Sequence, residues 1–261
     1  MIDSHAHLDD ARFDADREQV LARARAGGVE LVINIGADLE SSRQSVALAE
    51  GHPFIYAAVG IHPHDALSLD DAALATLRDM AQHPRVAAIG EIGLDYYRDL
   101  SPRAAQQAAF ERQLDLAAEL GRPVVVHDRD ADEDLVAILN RWAGRLRGVL
   151  HCFSGDAALA ARVVDWGWYI GVDGPVTFQN ARQLPDVVRG VPLSRLLLET
   201  DSPYLTPHPY RGRRNEPAYL VWVAEAVAKL KGVSLAEVER VTSQNARDLF
   251  GLETVEGAGR K

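Results

Sequence analysis

Eight short apolar runs, each separated from the next by a helix-like segment, constrain the fold of this chain more than any other feature. They are Ile2 at the start, "LVINI" (31–35), "FIYAAV" (54–59), "RVAAIG" (85–90), "PVVV" (123–126), "GVL" (148–150), "WYIGV" (168–172) and "RLLLE" (195–199). Runs this short, rich in β-branched residues, read as strands, and the stretches between them carry helix signals. Ser101-Pro102 offers an N-cap and a first-turn proline, Phe110, Leu114 and Ala117 keep a helical stripe, and Gly121 closes that segment. Residues 131–142 and 156–166 repeat the plan, and Val223, Ala226, Val227 and Leu230 take the i, i+3, i+4, i+7 spacing of a core-facing helix. Eight strand–helix units in about 250 residues match the size of one α/β domain, a single (β/α)8 TIM barrel over residues 1–252. A doubly wound open sheet is the competing arrangement, because periodicity does not reveal strand order. The tail "ETVEGAGRK" (253–261) is expected to fray.

Composition narrows the class. No apolar run approaches the roughly 18–20 residues needed to span a bilayer, and the first residues carry acids where a targeting segment would be basic. A single cysteine, Cys152, excludes an internal disulfide framework and fits a reducing cytoplasm. The reading is therefore a soluble, cytoplasmic protein with no membrane partner, and a barrel of this size can stand as a monomer. A formal charge of −10, from 28 basic and 38 acidic residues, disfavours sequence-independent coating of nucleic acid. It leaves room for an enzyme that touches a few phosphates, since bound divalent cations cancel negative charge locally.

A barrel gathers its chemistry at the C-terminal ends of the strands. Of nine histidines, six fall there: His5 and His7, His62 and His64, His127 and His151. His52 and His83 instead end helices just before a proline, where the helix dipole favours them, and His208 lies in a later loop. Glu91 in "AIGEIGLDYY" and Asp201 in "LLLETDSPYL" follow the fourth and eighth strands. Residues i and i+2 of a strand share a side, so His5 and His7 can face one ion from the barrel axis. Joined by Glu91, His127, His151 and Asp201, they exceed the needs of one tetrahedral site. Two divalent ions are the natural expectation, with His5, His7 and Asp201 on one, His127 and His151 on the other, and Glu91 bridging through its two oxygens.

The motifs "DSHAHLD", "VGIHPHDA", "IGEIGLDYY", "PVVVHDRDA", "LHCFSG", "ETDSPYLTPHPYRGRRNEP" and "SQNARDLF", taken in order, run through essentially the whole chain. In this set the chain resembles the TatD family of metal-dependent deoxyribonucleases, within the amidohydrolase-like barrels. The resemblance assigns His5, His7, Glu91, His127, His151 and Asp201 to the metal site, matching the reading above. It implies Mg2+ or Mn2+, with Zn2+ as an alternative, and hydrolysis of DNA phosphodiesters, often by 3′-to-5′ trimming of single strands. DNA repair and DNA degradation both fall within that range. It also implies a possible second chemistry on mischarged D-aminoacyl-tRNA, so tRNA stands as an alternative partner.

Phosphodiesters resist hydrolysis because negative oxygens shield the centre and the leaving alkoxide is poor, and paired cations answer both problems. Glu91 and Asp201 are the expected catalytic carboxylates, with Asp201 the candidate for receiving the proton of the attacking water. The stretch from Ser202 to Asn215 holds no acid and crowds Arg211, Arg213 and Arg214, whose guanidinium forks suit phosphate. A solvated loop, or an internal carboxylate partner for Arg214 such as Glu216, is the plainer alternative. Arg129 could reach the same rim or orient a ligand carboxylate. His62 and His64 exceed the ligand count and are read as substrate contacts ahead of metal ligands. Tyr96 and Tyr97, after Glu91, and Phe153, after His151, could stack on bases or simply pack. Cys152 reads as a small buried apolar residue, Asn245 as structural, and Gly90 and Gly93 as points where the backbone bends at the rim.

Two other functions compete. The same cluster would activate water toward an amide, lactone or small ester, and the arginine loop separates the readings, since a neutral amide does not need it. A purely structural metal site in a scaffold or nucleic-acid-binding protein would be closed, four-ligand and cysteine-rich, which this set is not.

Overall fold

Residues 1–252 are those described by the computed structural model, and the tail segment 253–261 lies outside them. Eight strands form one parallel sheet in strict chain order: β1 (Ile2–Ala6), β2 (Leu31–Ile35), β3 (Ile55–Val59), β4 (Val86–Asp95), β5 (Val124–Arg129), β6 (Gly148–Leu150), β7 (Tyr169–Val172) and β8 (Leu196–Leu198). That order excludes the doubly wound alternative, in which the strand sequence reverses at a switch point. The last seam forms just beyond β8. Ala6 bridges Ser202 in parallel, the His7 amide donates to the Ser202 carbonyl at 2.8 Å, and the Asp201 amide donates to the His5 carbonyl at 2.9 Å. Buried Asp3 adds to the seam by accepting from the Thr200 amide at 2.9 Å and its hydroxyl at 2.6 Å. The fold is a (β/α)8 barrel.

Around it run α1 (Arg17–Ala26), α2 (Leu39–Gly51), α3 (Asp71–Ala81), α4 (Arg103–Leu120), α5 (Asp132–Leu139), α6 (Ala157–Asp165), α7 (Gln183–Gly190), α8 (Leu220–Lys231) and α9 (Leu235–Phe250). Asp38, Asp70 and Asp156 cap α2, α3 and α6 by accepting a backbone amide, which satisfies a donor left orphaned at each helix start. The expected cap at Ser101 does not form. Pro102 occupies the N-cap of α4 without a side-chain bond, and the Ser101 hydroxyl donates to the His64 carbonyl at 2.7 Å, tying the loop after β4 to the loop after β3.

The strand pleat sorts side chains into two apolar clusters. Val32, Val124, Val126, Leu150, Ile170 and Leu198 pack outward with the helices. Ile33, Ile35, Ala58, Val125, Val149 and Leu197 form the other cluster, against which α9 lays Ala246, Leu249 and Phe250. Because side chains alternate with period two, this second set determines which residues come next on the same side of each strand. Val125 is succeeded there by His127, Val149 by His151, and Leu197 by Glu199 and Asp201.

On α8, Val223 and Val227 are buried while Ala226 and Leu230 pack at the edge of the core, as their spacing predicts. Asn245 is structural, its amide donating to the carbonyls of Leu193 and Leu196 at 2.9 and 2.8 Å. No helix of the described residues is long and apolar enough to cross a membrane.

Candidate metal centre

The strand carrying Glu91 is longer than its apolar run suggests. β4 continues through "EIGLD" to Asp95, so Glu91 lies within the strand and Asp95 points to the same side. Glycine makes this possible. A Cβ on Gly93, whose φ is +139°, would lie 2.0 Å from the His127 carbonyl oxygen, and one on Gly90 would lie 2.7 Å from Val125 Cβ. The two glycines therefore let β4 press against β5 where both deliver functional side chains.

Six residues from five strand ends converge at this mouth. His5 Nε2 lies 3.2 Å from His7 Nε2, 3.5 Å from Glu91 Oε2 and 3.7 Å from Asp201 Oδ1. His7 Nε2 lies 3.8 and 3.4 Å from the same two oxygens. The other oxygen of Glu91, Oε1, lies 2.7 Å from His151 Nε2 and 2.9 Å from His127 Nδ1, and these two nitrogens are 3.3 Å apart. Donors held about 2.1 Å from one ion in a tetrahedral shell sit about 3.4 Å from each other. The first set fits that spacing, the second is drawn in to hydrogen-bond distance and would have to spread by about 0.5–0.7 Å around an ion, and Glu91 faces each with a different oxygen. The donors, imidazole and carboxylate without thiolate, suit Zn2+ or Mn2+, and Mg2+ would complete its shell with water.

His62 joins the second set. Its Nε2 lies 3.5 Å from Glu91 Oε1, and His62, Glu91 and His127 each offer an atom within 4.8 Å of the others. His62 is buried, as His151 is. His64 is set farther out, with Nε2 2.9 Å from Asp95 Oδ2.

Sequence reasoning missed the supporting carboxylates. Asp95 lies 3.2 Å from His127 Nε2, a carboxylate–histidine pair of the kind that orients a metal-ligating ring. His7 Nδ1 pairs with the Ile35 carbonyl at 3.0 Å. Glu199, fully buried, lies 3.7 Å from His151 Nδ1 and accepts the Cys152 amide. The signal was present: Asp95 and Glu199 stand at even spacing from Glu91 and Asp201 along extended chain.

The electrostatics match a site built for cations. Burial pulls His7 down, but the carboxylates of Asp201 and Glu91 outweigh it and lift the ring to about 9. Burial also pulls His151 down, but Glu91 and Glu199 outweigh it and raise the ring well above its ordinary value. Asp95 and Glu91 raise His127 against its burial. Burial raises Glu91 and Asp201, yet the surrounding histidines hold both below the usual carboxylate range. Burial dominates at His62, which falls to about 4, and at His5, which is lowered with help from His151. Burial and the neighbouring carboxylates push the Cys152 thiol well up, so Cys152 is no activated nucleophile.

The outer residues separate into two kinds. Arg214 is tied into the fold, its guanidinium meeting both Asp16 oxygens at 2.8 and 2.7 Å, while Glu216 pairs with Arg23. Arg211 and Arg213 are exposed, Arg211 lying 4.1 Å over the Phe178 ring. Arg129 lies 4.0 Å over the exposed ring of Tyr97. Tyr96 is anchored, its hydroxyl donating to Asp134 at 2.7 Å, and Phe153 is buried in the core. His52 and His83 stay away from the mouth, paired with Glu18 and Glu50.

Comparison with known proteins agrees with this architecture. Residues 2–251 match the family described as TatD related DNase. The chain is 43% identical to the uncharacterized metal-dependent hydrolase YabD of Bacillus subtilis (strain 168), covering 96% of this chain and 98% of that one. It is 39% identical to the 3′-5′ ssDNA/RNA exonuclease TatD of Klebsiella pneumoniae (strain 342), covering 97% and 98%. The crystal structure of YJJV, a TatD homolog from Escherichia coli K12, superimposes with a TM-score of 0.91 at 34% identity, covering 97% and 98%. With its barrel, its histidine–carboxylate mouth and a match over nearly its whole length, the chain belongs to the TatD-related DNase family of metal-dependent hydrolases.

Proposed function

We propose that this protein is a divalent-metal-dependent nuclease that trims single-stranded DNA from its 3′ end. The observation that carries the reading is Glu91, whose two oxygens face two separate histidine sets, His5 with His7 and His127 with His151. Divalent ions held there would supply Lewis-acid polarisation of a phosphate oxygen and a water of lowered pKa. His5, His7 and Asp201 would hold one and His127, His151 and His62 the other, with Glu91 shared. Asp201 retains 13% side-chain exposure, enough to meet a water at the open mouth and accept its proton. Asp95 and the Ile35 carbonyl fix the rings of His127 and His7, so their ligating nitrogens need no reorganisation. Arg211 and Arg213, exposed and without carboxylate partners among the described residues, are the phosphate contacts that the loop after β8 can supply. Arg129 with Tyr97 offers a second such contact beside an aromatic face. Relatives named as 3′-5′ ssDNA/RNA exonucleases, 39–40% identical over 97% of the chain, support this substrate class.

The test is a time course on 3′-labelled and 5′-labelled single-stranded oligonucleotides with Mg2+, Mn2+, Zn2+ or EDTA, beside Glu91→Ala. Ladders that shorten from the 3′ end with metal, and vanish in EDTA and in the variant, are expected. No cleavage by a metal-loaded chain would overturn the reading and direct the search to small esters, amides or aminoacyl-tRNA.

A further inference from the structure

β7 sends no residue to the centre described above, yet the residue directly after it is a carboxylate sealed in the same ring. Asp173 has no exposed surface, and neither of its oxygens has a hydrogen-bond partner. Burying a carboxyl with neither oxygen hydrogen-bonded is costly, and such a group is either kept neutral or taken up by a partner or a metal. Its neighbours are metal-competent. Cys152 after β6, Asp173 after β7 and Asp201 after β8 each present a donor atom, all within 4.8 Å of one another. Three points so spaced share a centre no more than about 2.8 Å from each, so movements of about 0.5–0.7 Å bring thiolate and carboxylates to ligating distance. Cys152 and Asp201 keep partial exposure, which leaves a route for an ion.

We propose that Cys152, Asp173 and Asp201 form an additional cation site, selective for thiophilic divalent ions such as Zn2+ and Cd2+ over Mg2+. The inference goes beyond the proposed nuclease centre and rests on the reading of Asp201 as a metal-competent carboxylate. Sulfur sets the selectivity, because thiolate suits zinc-like ions while Mg2+ demands an oxygen shell. Binding forms a metal–sulfur bond and releases the thiol proton to solvent. Asp201 has two oxygens and so can serve this site and the ion beside His5 and His7 together, which couples the two occupancies. A sealed carboxyl with the thiol of the chain's only cysteine as its polar neighbour thus gains a role that packing alone does not give it.

Cys152 is the only thiol, so a sulfur-to-metal charge-transfer band can come from no other residue. The full chain, freed of metal and of any affinity tag, is titrated with Cd2+ in excess Mn2+, recording ultraviolet absorbance, then bound cadmium after gel filtration. The wild type should develop the band and retain one more equivalent of cadmium than Cys152→Ser, which should lack it. Asp173→Asn should bind the thiolate-linked ion at least roughly 10-fold more weakly, a direct donor mattering no less than an outer-shell one. Absence of the band in the wild type at saturating Cd2+ overturns the proposal even if Cys152→Ser fails to fold. So does a band whose affinity is unchanged in Asp173→Asn. Neither readout depends on nuclease activity, so failure here and failure of the nuclease reading are distinguishable.

Discussion

Replacing Asp95 by asparagine separates the two halves of the metal centre. Asp95 is almost fully buried and its carboxylate touches three groups: His127 Nε2 at 3.2 Å, His64 Nε2 at 2.9 Å and the Arg98 amide, whose proton it accepts at 2.7 Å. Asparagine keeps the shape and one oxygen for the Arg98 amide but removes the charge that favours a proton on His127 Nε2 and leaves Nδ1 free. Such outer-shell changes typically cost 10- to 100-fold in metal affinity, about 1.4–2.7 kcal/mol. The loss should fall on the ion beside His127 and His151, because Asp95 makes no contact with His5, His7 or Asp201. Competition against a chromophoric chelator with Mn2+ reads the two binding steps, and one should weaken by that factor while the other is largely spared. The melting temperature of the metal-free variant serves as the folding control. Equal weakening of both steps, or of neither, would refute the assignment of Asp95 as the group that orients His127.

The remaining predictions concern protons, arginines and packing. In the metal-free fold His7 sits near 9 against an ordinary value of about 6.5. Its protonated form therefore stabilises the fold fully below about pH 6.5, and that contribution is lost as pH rises through about 9. An ion needs the neutral ring, so Mn2+ affinity should climb across that window and level off above it, and a flat profile would contradict the assignment. Arg211→Ala should raise KM for an oligonucleotide and leave the melting temperature unchanged. Arg214→Ala should do the reverse, since its two-pronged, part-exposed pair with Asp16 is worth up to about 1 kcal/mol, or roughly 2–4 °C. Gly93→Ala would force a Cβ to 2.0 Å from the His127 carbonyl at a positive φ. It should lose at least 1–3 kcal/mol of stability and disturb metal binding, measured by denaturant unfolding and chelator competition.

What could be read from sequence was what period and spacing encode locally. Strand–helix alternation gave the element order, and i, i+2 spacing put His5 with His7. Position at strand ends brought in Glu91, His127, His151 and Asp201. The closed order of the sheet was not legible, because the seam depends on Asp3 meeting Thr200 from the other end of the chain. Arg214 was ambiguous for the same reason: its partner Asp16 lies near the other terminus, beyond the reach of any local pattern. His62 was read as a surplus histidine because counting ligands says nothing of depth, and only the packed mouth places its Nε2 beside Glu91. Asp95 escaped because the apolar run ends before Glu91, while β4 continues through two glycine-dependent contacts to carry it inward.

The central claim is that Glu91 joins two ion positions at the mouth of the barrel. Anomalous diffraction from crystals soaked in Mn2+, collected at the manganese edge, tests it most directly. Two peaks roughly 3.5–4 Å apart are expected on either side of the Glu91 carboxylate, one beside His5, His7 and Asp201 and the other beside His127 and His151. A single peak at saturating Mn2+, or peaks that leave Glu91 uncoordinated, would contradict the account.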